Sequence, residues 1–334
     1  MVNSVPEYPI SIVVCFHNAG DTVERTLAWL DRIDRGVQVV LVDDASHDGT
    51  PERLRAWAAS NADAVVVALA ENHGPARARN IALGHVRREY VWFVDDDDEL
   101  APNALAVFDQ VIRESRPHLV FARARFRSGD AAERWVDGVD ESDVIDRETA
   151  LLLMLRGDIH GFLWSKLFHR SVLGDAPFGT AYPQEDFVGV IGAIERSERI
   201  ALSPYSVYTY VERPGSLSRG RRPDFTRYAA ARDVAVAAAG RAGIDPRLVA
   251  SFRLWFYAIA VAFVPIRRRA PRTDVREGIR LARAELRRLD LAECAAIDRR
   301  AALHGRIILA AGPVYPALLL PALWLHDRLR RLRS

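Results

Sequence analysis

At 334 residues, 49% hydrophobic and 27% charged, the chain can bury a substantial core and has length for one large domain plus an appendage. Its two cysteines, Cys15 and Cys294, lie far apart, which argues against a disulfide framework or a cysteine-rich zinc site. The formal charge of +2 hides an asymmetry: residues 1–219 carry 22 Arg and one Lys against 34 acids, a net of −11, and residues 220–334 carry 23 Arg against 10 acids, a net of +13.

The opening "MVNSVPEYP" has neither a basic n-region nor a long apolar h-region, so a reducing, cytosolic site of action is the expectation. "PISIVVCF" predicts a first strand, with Cys15 as a small core residue. "DTVERTLAWL" predicts a helix with Asp21 as N-cap, Glu24 at capping-box spacing, and Leu27 and Leu30 on its apolar face. "VQVVLVDDAS" is a second strand, ending in Asp43 and Asp44, and Thr50 and Pro51 open a helix to about Ala59. "AVVVALA" is a third strand, "GPARARNIALGHV" a helix and "YVWFV" a fourth strand. Near-continuous apolar strands alternating with helices imply a parallel sheet covered on both faces.

In such sheets ligands collect at the carboxyl ends of strands. Polar groups recur there: His17 and Asn18, Asp43 and Asp44, Asn72, then Asp95 to Asp98. The run "YVWFVDDDDELAP" packs five carboxylates at the mouth of an apolar strand, where mutual repulsion calls for water or a cation. Asp98 could instead cap a helix beginning near Leu100, with Pro102 in its first turn, but that explains only one or two of the acids. Neither G-x-G-x-x-G nor G-x-x-x-x-G-K-[ST] follows the first strand, which removes the usual dinucleotide and P-loop readings. An anionic ligand at an acidic edge needs a bridging Mg2+ or Mn2+. Arg77 and Arg79 could add positive charge near a phosphate or stack on a base; the alternative for each is a solvated helix face.

The stretches "ISIVVCFHNAGDTVERTL", "VVLVDDASHDGT", "ENHGPARARNIAL", "WFVDDDDEL", "WSKLFHR", "PQEDF" and "YTYVERPGSLS" resemble, in order over residues 9–218, the family 2 glycosyltransferases with a GT-A fold. The resemblance implies that Phe16 and His17 border the nucleotide, that Asp44 hydrogen-bonds the base, and that Arg79 lies near it. It implies that Asp95, Asp96 and Asp97 serve the donor, with Asp95 and Asp97 as the D-x-D and Asp97 the direct ligand of Mn2+ or Mg2+. Asp186 matches the catalytic base, and Glu185 would touch the acceptor or order the site. His17 departs from the family, which usually has Tyr before Asn. The implied chemistry is a single inverting displacement, with the cation acting on the diphosphate and a carboxylate accepting the acceptor's proton. Read without the resemblance, Glu185 and Asp186 are acids in the first turn of a helix whose apolar positions are Phe187, Val190, Ile191 and Ile194. Lys166, the one lysine among 46 basic residues, is either a surface residue or a compact cation placed near the donor's phosphate or sugar. His160, Trp164 and His169 have an acceptor-cleft reading and a structural one.

Past "RPGSLSRGRRPDF" the pattern turns helical and basic. "RLWFYAIAVAFVPIRRR" sets apolar residues beside arginines, and residues 307–325 form an uncharged stretch that reaches transmembrane length, against which Pro313, Pro316 and Pro321 count. A basic, Trp-bearing apolar region suits an anionic cytoplasmic leaflet, while no nucleic-acid motif is present. The expectation is a GT-A, Rossmann-like α/β domain over 1–218, with a mostly parallel sheet flanked by helices, and a basic helical region over 219–334 as a candidate for membrane association. The expected function is metal-dependent, inverting transfer from a UDP-linked sugar to a glycan or lipid-linked acceptor of the cell envelope, at the inner membrane face. Homo-oligomerisation stays open. A sugar nucleotidyltransferase and a non-catalytic nucleotide- or glycan-binding module are the alternatives. The first lacks its Gly-rich loop, and the second is opposed by intact Asp95, Asp97 and Asp186.

Overall fold

The computed structural model describes residues 8–20, 22–33, 36–129, 132–179, 184–212 and 223–320. The chain divides into two compact units, residues 1–212 and 213–334.

In the first unit, β1 (Ile10–Phe16), α1 (Val23–Leu30), β2 (Gln38–Asp43), α2 (Thr50–Ala59), β3 (Ala64–Ala68), α3 (Pro75–Leu83) and β4 (Tyr90–Asp95) alternate as the apolar runs predict. All six residues of β2 are buried, as are six of the seven in β1, because both sheet faces are covered. Asp21 lies outside the described residues. The residue at the cap position of α1 is Thr22, whose side chain makes no cap bond and serves the acidic run instead.

The chain continues through β5 (Glu99–Leu100), α4 (Ala104–Ser115), β6 (Leu119–Ser128), β7 (Arg134–Asp137), β8 (Asp143–Ile145), α5 (Arg147–Arg156), β9 (Lys166–His169), α6 (Glu185–Arg196) and β10 (Ile200–Glu212). The sheet order is β3-β2-β1-β4-β9-β6-β10-β5, with β7 on β6 and β8 on β10. The long ladders are parallel: β1 with β2 and β4, β2 with β3, and β6 with β10. The antiparallel ones, such as β4 with β9, are short. Register decides where the chemistry falls. Phe16 pairs with Asp43 and Cys15 with Asp95, so the acids ending β2 and β4 flank the end of β1. A helix starting near Leu100 is not what forms: Leu100 belongs to β5, and α4 begins at Ala104.

The second unit is helical: α7 (Phe225–Arg241), α8 (Pro246–Phe252), a π-helical stretch (Arg253–Ile259), α9 (Ala260–Arg267), α10 (Arg272–Leu286), α11 (Leu291–Ile297) and α12 (Arg299–Ala311). Asp224, Asp245, Asp290 and Asp298 start α7, α8, α11 and α12, each accepting a backbone N–H in its first turn. Leu254, Tyr257, Val261, Ile279, Leu286 and Ile308 share a core of this unit's own. Gly278 lets α10 cross α9 closely, since a Cβ there would stand 2.1 Å from the Val261 carbonyl oxygen. The buried Glu285 carboxylate accepts from Arg253 at 2.7 Å and Arg232 at 3.2 Å, a paired charge inside the helical core.

Candidate active site

The loops after β1 and β2 are fastened together by the polar residues of their motifs. Asn18 donates its backbone N–H to Ser46 Oγ at 2.9 Å and accepts the His47 N–H at 2.9 Å through its side chain. Asp48 accepts from the Gly20 N–H at 2.8 Å and the Thr50 hydroxyl at 2.7 Å. Asn18 (φ 51°) and Ala45 (φ 56°) both take the left-handed conformation here, strain of the kind that functional loops hold. Asp44 accepts the His73 N–H at 2.8 Å and the Gly74 N–H at 2.7 Å, so its carboxylate shapes the loop after β3. Asp43 beside it is buried, and its Oδ1 has no hydrogen-bond partner among the described residues.

His17 is exposed and its tautomer is fixed by its neighbours. Nδ1 lies 2.7 Å from the Asp44 carbonyl oxygen, which can only accept, so Nδ1 carries the proton. Nε2 then accepts from Asn72 Nδ2 at 2.8 Å and Asn18 Nδ2 at 3.0 Å. Phe16 contributes backbone rather than ring to this edge: its side chain is buried in the core, and its carbonyl accepts the Asp44 N–H at 2.8 Å.

The four aspartates after β4 go four ways. Asp95 accepts from Arg79 Nη2 at 2.8 Å and keeps 34% of its side-chain surface exposed. Asp96 accepts from the Thr22 hydroxyl at 3.1 Å, and its backbone carbonyl accepts from Thr26. Asp97 is half-buried, with its backbone carbonyl held by Arg25 Nη2 at 2.7 Å. Asp98 is fully buried, accepting from the Tyr208 hydroxyl at 2.7 Å and the Val211 N–H at 2.8 Å. The helix-cap reading of Asp98 therefore fails; the residue ties the acidic turn to β10. Burial, with the charge of neighbouring acids, pushes Asp96 up to about 7 and Asp97 up to about 6. The same causes raise Asp98 to about 9. Among the described residues no group of three or more His, Cys, Asp or Glu is arranged to hold a metal. Asp95, although paired with Arg79, keeps a partly exposed carboxylate and Asp97 is half-buried, so these two could supply the one or two carboxylates that Mg2+ or Mn2+ takes beside a diphosphate.

Arg79 joins this run to the start of α6. It is 7% exposed, so the solvated-face reading fails for it, whereas Arg77 is exposed on α3. Its Nη1 donates to Asp186 Oδ1 at 2.8 Å and lies 3.8 Å from Glu185 Oε1. Burial opposes its charge, but Asp186 and Asp95 hold the guanidinium above its ordinary range. Burial pushes Asp186 up to about 6 against the pull of Arg79, and pushes Glu185 up to about 8 with the help of Asp186's charge. Both acids do sit in the first turn of α6, entered through Gln184 at φ 88°. The ion pair across to α3 gives Asp186 a second fixed partner, which the helix dipole does not account for. Gly161 permits the loop before β9 to lie against that turn, since a Cβ there would meet Phe187 Cα at 2.6 Å.

Lys166 is fully buried, contrary to its surface reading. Its ammonium donates to Asp137 Oδ2 at 2.5 Å and Ser165 Oγ at 2.8 Å, and lies 4.7 Å from the Phe121 ring centroid. Asp137 Oδ1 accepts the N–H groups of Gly138 and His160, each at 2.9 Å. Burial lowers Lys166 and works against Asp137, yet Asp137 stays lowered to about 2; a carboxylate met only by donors keeps the pair ionic. A direct contact between Lys166 and a donor ligand is not available to an ammonium with no exposed surface. Trp164 stacks on Tyr208 at 5.0 Å and on Phe162 at 4.7 Å inside the fold, with His160 on the outer side of Phe162. His169 pairs with Tyr90, at the opposite end of β4 from Asp95, and so lies away from the cleft. Asp137, Arg25, Thr22 and Tyr208 were not legible as site-forming residues, because each acts through a partner distant in sequence.

Residues 11–173 match the family model described as Glycosyl transferase family 2. The chain is similar to the succinoglycan biosynthesis protein ExoO of Rhizobium meliloti, 26% identical over 67% of this chain and 66% of that protein. It is similar to the cholesterol galactosyltransferase of Borreliella burgdorferi, 22% identical over 65% and 64%. Similarity extends to the poly(ribitol-phosphate) beta-glucosyltransferase of Bacillus spizizenii, 25% identical over 67% and 36%. The chain thus spans less than two thirds of the length of these relatives. In fold it is similar to residues 1–349 of S. aureus TarS, solved in complex with UDP-GlcNAc, with a TM-score of 0.64 and 17% identity over 90% of each chain.

Proposed function

Residues 11–173 belong to glycosyl transferase family 2, and from that premise we propose that the protein transfers a sugar from a nucleotide-sugar to a hydroxyl acceptor in cell-envelope glycan synthesis. The observation that carries this reading is the meeting, through the single guanidinium of Arg79, of the acids ending β4 with the first-turn acids of α6. One cleft edge thus holds a donor side and a base side. The names of the relatives, a succinoglycan biosynthesis protein and a poly(ribitol-phosphate) glucosyltransferase, support an envelope polymer as the acceptor. The UDP-GlcNAc bound by the TarS fold supports a UDP-linked donor.

On this reading the base lies against the loops after β1 and β2, which Asp44 and His17 shape through backbone contacts. Asp95 and Asp97 would hold Mn2+ or Mg2+, which would supply Lewis-acid stabilisation of the diphosphate leaving group. Asp186 accepts the proton of the acceptor hydroxyl as its oxygen bonds to the anomeric carbon, while the sugar–phosphate bond breaks and its electron pair leaves on the diphosphate. Glu185 orders the acceptor side. One displacement inverts the anomeric centre.

The second unit supports a membrane-surface location. Leu303 and Ile307 are exposed four positions apart on α12, Val314 and Leu318 are exposed beyond its end, and Arg299, Arg300 and Arg306 of α12 are exposed as well. Only 22% of the apolar window in Arg299–Leu320 is buried, against 50% in Pro246–Arg267. A basic, exposed apolar region of this kind suits the surface of an anionic leaflet.

The test is a panel of UDP-, GDP- and dTDP-sugars with and without Mn2+, scored for nucleotide release and for transfer to polyol-phosphate and lipid-linked acceptors. Cation-dependent turnover of one donor is expected. Nucleotide binding without turnover of any donor would favour the binding-module alternative.

A further inference from the structure

The contacts of Arg79 do more than neutralise acids, and the inference that follows rests on the transferase reading above. Two different nitrogens of one rigid, planar fork are committed, Nη2 to Asp95 and Nη1 to Asp186, each at 2.8 Å. The Arg79 side chain is 8% exposed and that of Glu185 3%, so water screens this group weakly. Asp95 ends β4 on the donor side, and Asp186 lies in the first turn of α6 on the acceptor side. One positive charge is thus shared among three carboxylates from two ends of the reaction.

We propose that Arg79 is a positioning residue that couples cation binding at Asp95 to the placement of the base Asp186. A divalent ion at Asp95 competes with Arg79 for the same carboxylate. As the ion takes Asp95, the guanidinium's remaining attraction falls to Asp186 and Glu185 and draws the base into place. Donor loading thereby readies the acceptor side. Because binding linkage is reciprocal, the acids of α6 must in turn set the affinity for the ion. An Asp186 that holds Arg79 leaves Asp95 freer for the cation.

The experiment measures Mn2+ affinity of the full chain by the free-ion electron paramagnetic resonance signal. It compares wild type, Asp186→Asn, Arg79→Ala, Arg79→Lys and the Arg79→Ala/Asp186→Asn double variant, with kcat and KM alongside. Asp186→Asn should weaken Mn2+ binding by about fivefold, the lower end of coupling between linked sites. Arg79→Ala should tighten Mn2+ binding while lowering kcat far more than it changes donor KM. In the Arg79→Ala background the effect of Asp186→Asn should shrink to under about twofold, the non-additivity expected of directly connected residues. Arg79→Lys keeps the charge but not the fork, so it should keep Mn2+ affinity near wild type with kcat still reduced.

The same factor for Asp186→Asn in both backgrounds, or unchanged Mn2+ affinity in Asp186→Asn, overturns the coupling, as does a wild type that binds no Mn2+. If Arg79→Ala does not fold, the shift in Asp186→Asn alone, together with the behaviour of Arg79→Lys, decides. A wild type that transfers no sugar yet shows the reciprocal shifts keeps the coupling and sinks the transferase reading. An active wild type without those shifts does the reverse.

Discussion

Asp186 is the residue on which the chemistry turns. Asp186→Asn keeps the size and much of the hydrogen bonding but cannot take a proton, so kcat should fall by about 10²–10⁴-fold with donor affinity little changed at saturating Mn2+. Its carboxyl is raised to about 6, chiefly by burial, so wild-type kcat/KM should climb as pH rises through that value, where the base becomes ionised. A mutant that keeps its rate would return the residue to the helix-dipole reading. Lys166 makes a different demand, on stability. Lys166→Met leaves the Asp137 carboxylate buried without its cation, and such a break costs about 3–5 kcal/mol. Chemical denaturation should show that loss, and Asp137→Asn in the same chain should recover part of it. The "WSK" motif was legible as a signal, but its meaning as a buried ion pair was not, because Asp137 lies 29 residues away in the chain.

At the scale of elements, the strands and helices of the first unit were largely written in apolar periodicity, and α2 opens at Thr50 as its Thr-Pro start implies. The misreading lies where a polar residue serves tertiary partners instead of a helix start: Asp98 turns to Tyr208 and Val211. In the second unit the informative stretch is α12 and the residues after its end at Ala311, where Leu303, Ile307, Val314, Leu318 and Leu320 are exposed. Residues 321–325, the end of the uncharged stretch read from sequence, lie outside the described residues. Flotation with phosphatidylglycerol vesicles should retain the protein, and neutral phosphatidylcholine vesicles should retain less. Added salt should release part of it by screening the arginines. Ile307→Glu with Leu318→Glu should abolish retention while leaving nucleotide affinity intact. Retention unchanged by those substitutions would place the membrane contact elsewhere.

For the whole molecule, the raised carboxyls determine how stability responds to pH. Asp96, Asp98 and Glu185 bind protons more tightly folded than unfolded, so they stabilise the fold fully below their ordinary values near 4 and lose that contribution as pH rises through about 7 to 9. His169 and His304 are lowered and act in the opposite sense, but their effect is complete by their ordinary value of 6.5. Asp137, lowered to about 2, contributes its stability above about 4 and does not change in this window. On the carboxyls, the melting temperature of the cation-free protein should therefore fall between pH 7 and pH 9, opposed by Lys166, whose lowered ammonium gains stability as pH rises toward its ordinary 10.5. Mn2+ should restore part of the loss by binding the deprotonated acids. A melting temperature that rises over this range would mean that these acids are ionised at little cost.

The sequence by itself determined the alternation of strands and helices, the edge on which polar residues gather, and the order of motifs, because periodicity and strand ends are local properties. It also marked Asp95, Asp97 and Asp186 as residues to watch. Only the tertiary structure decided which partner each carboxylate takes. Parallel register set the ends of β2 and β4 on either side of β1, and burial left Arg79 as the shared partner of acids 16 and 107 residues away. A charge removed from water must find its counter-ion in space, and no spacing along the chain records which one it finds.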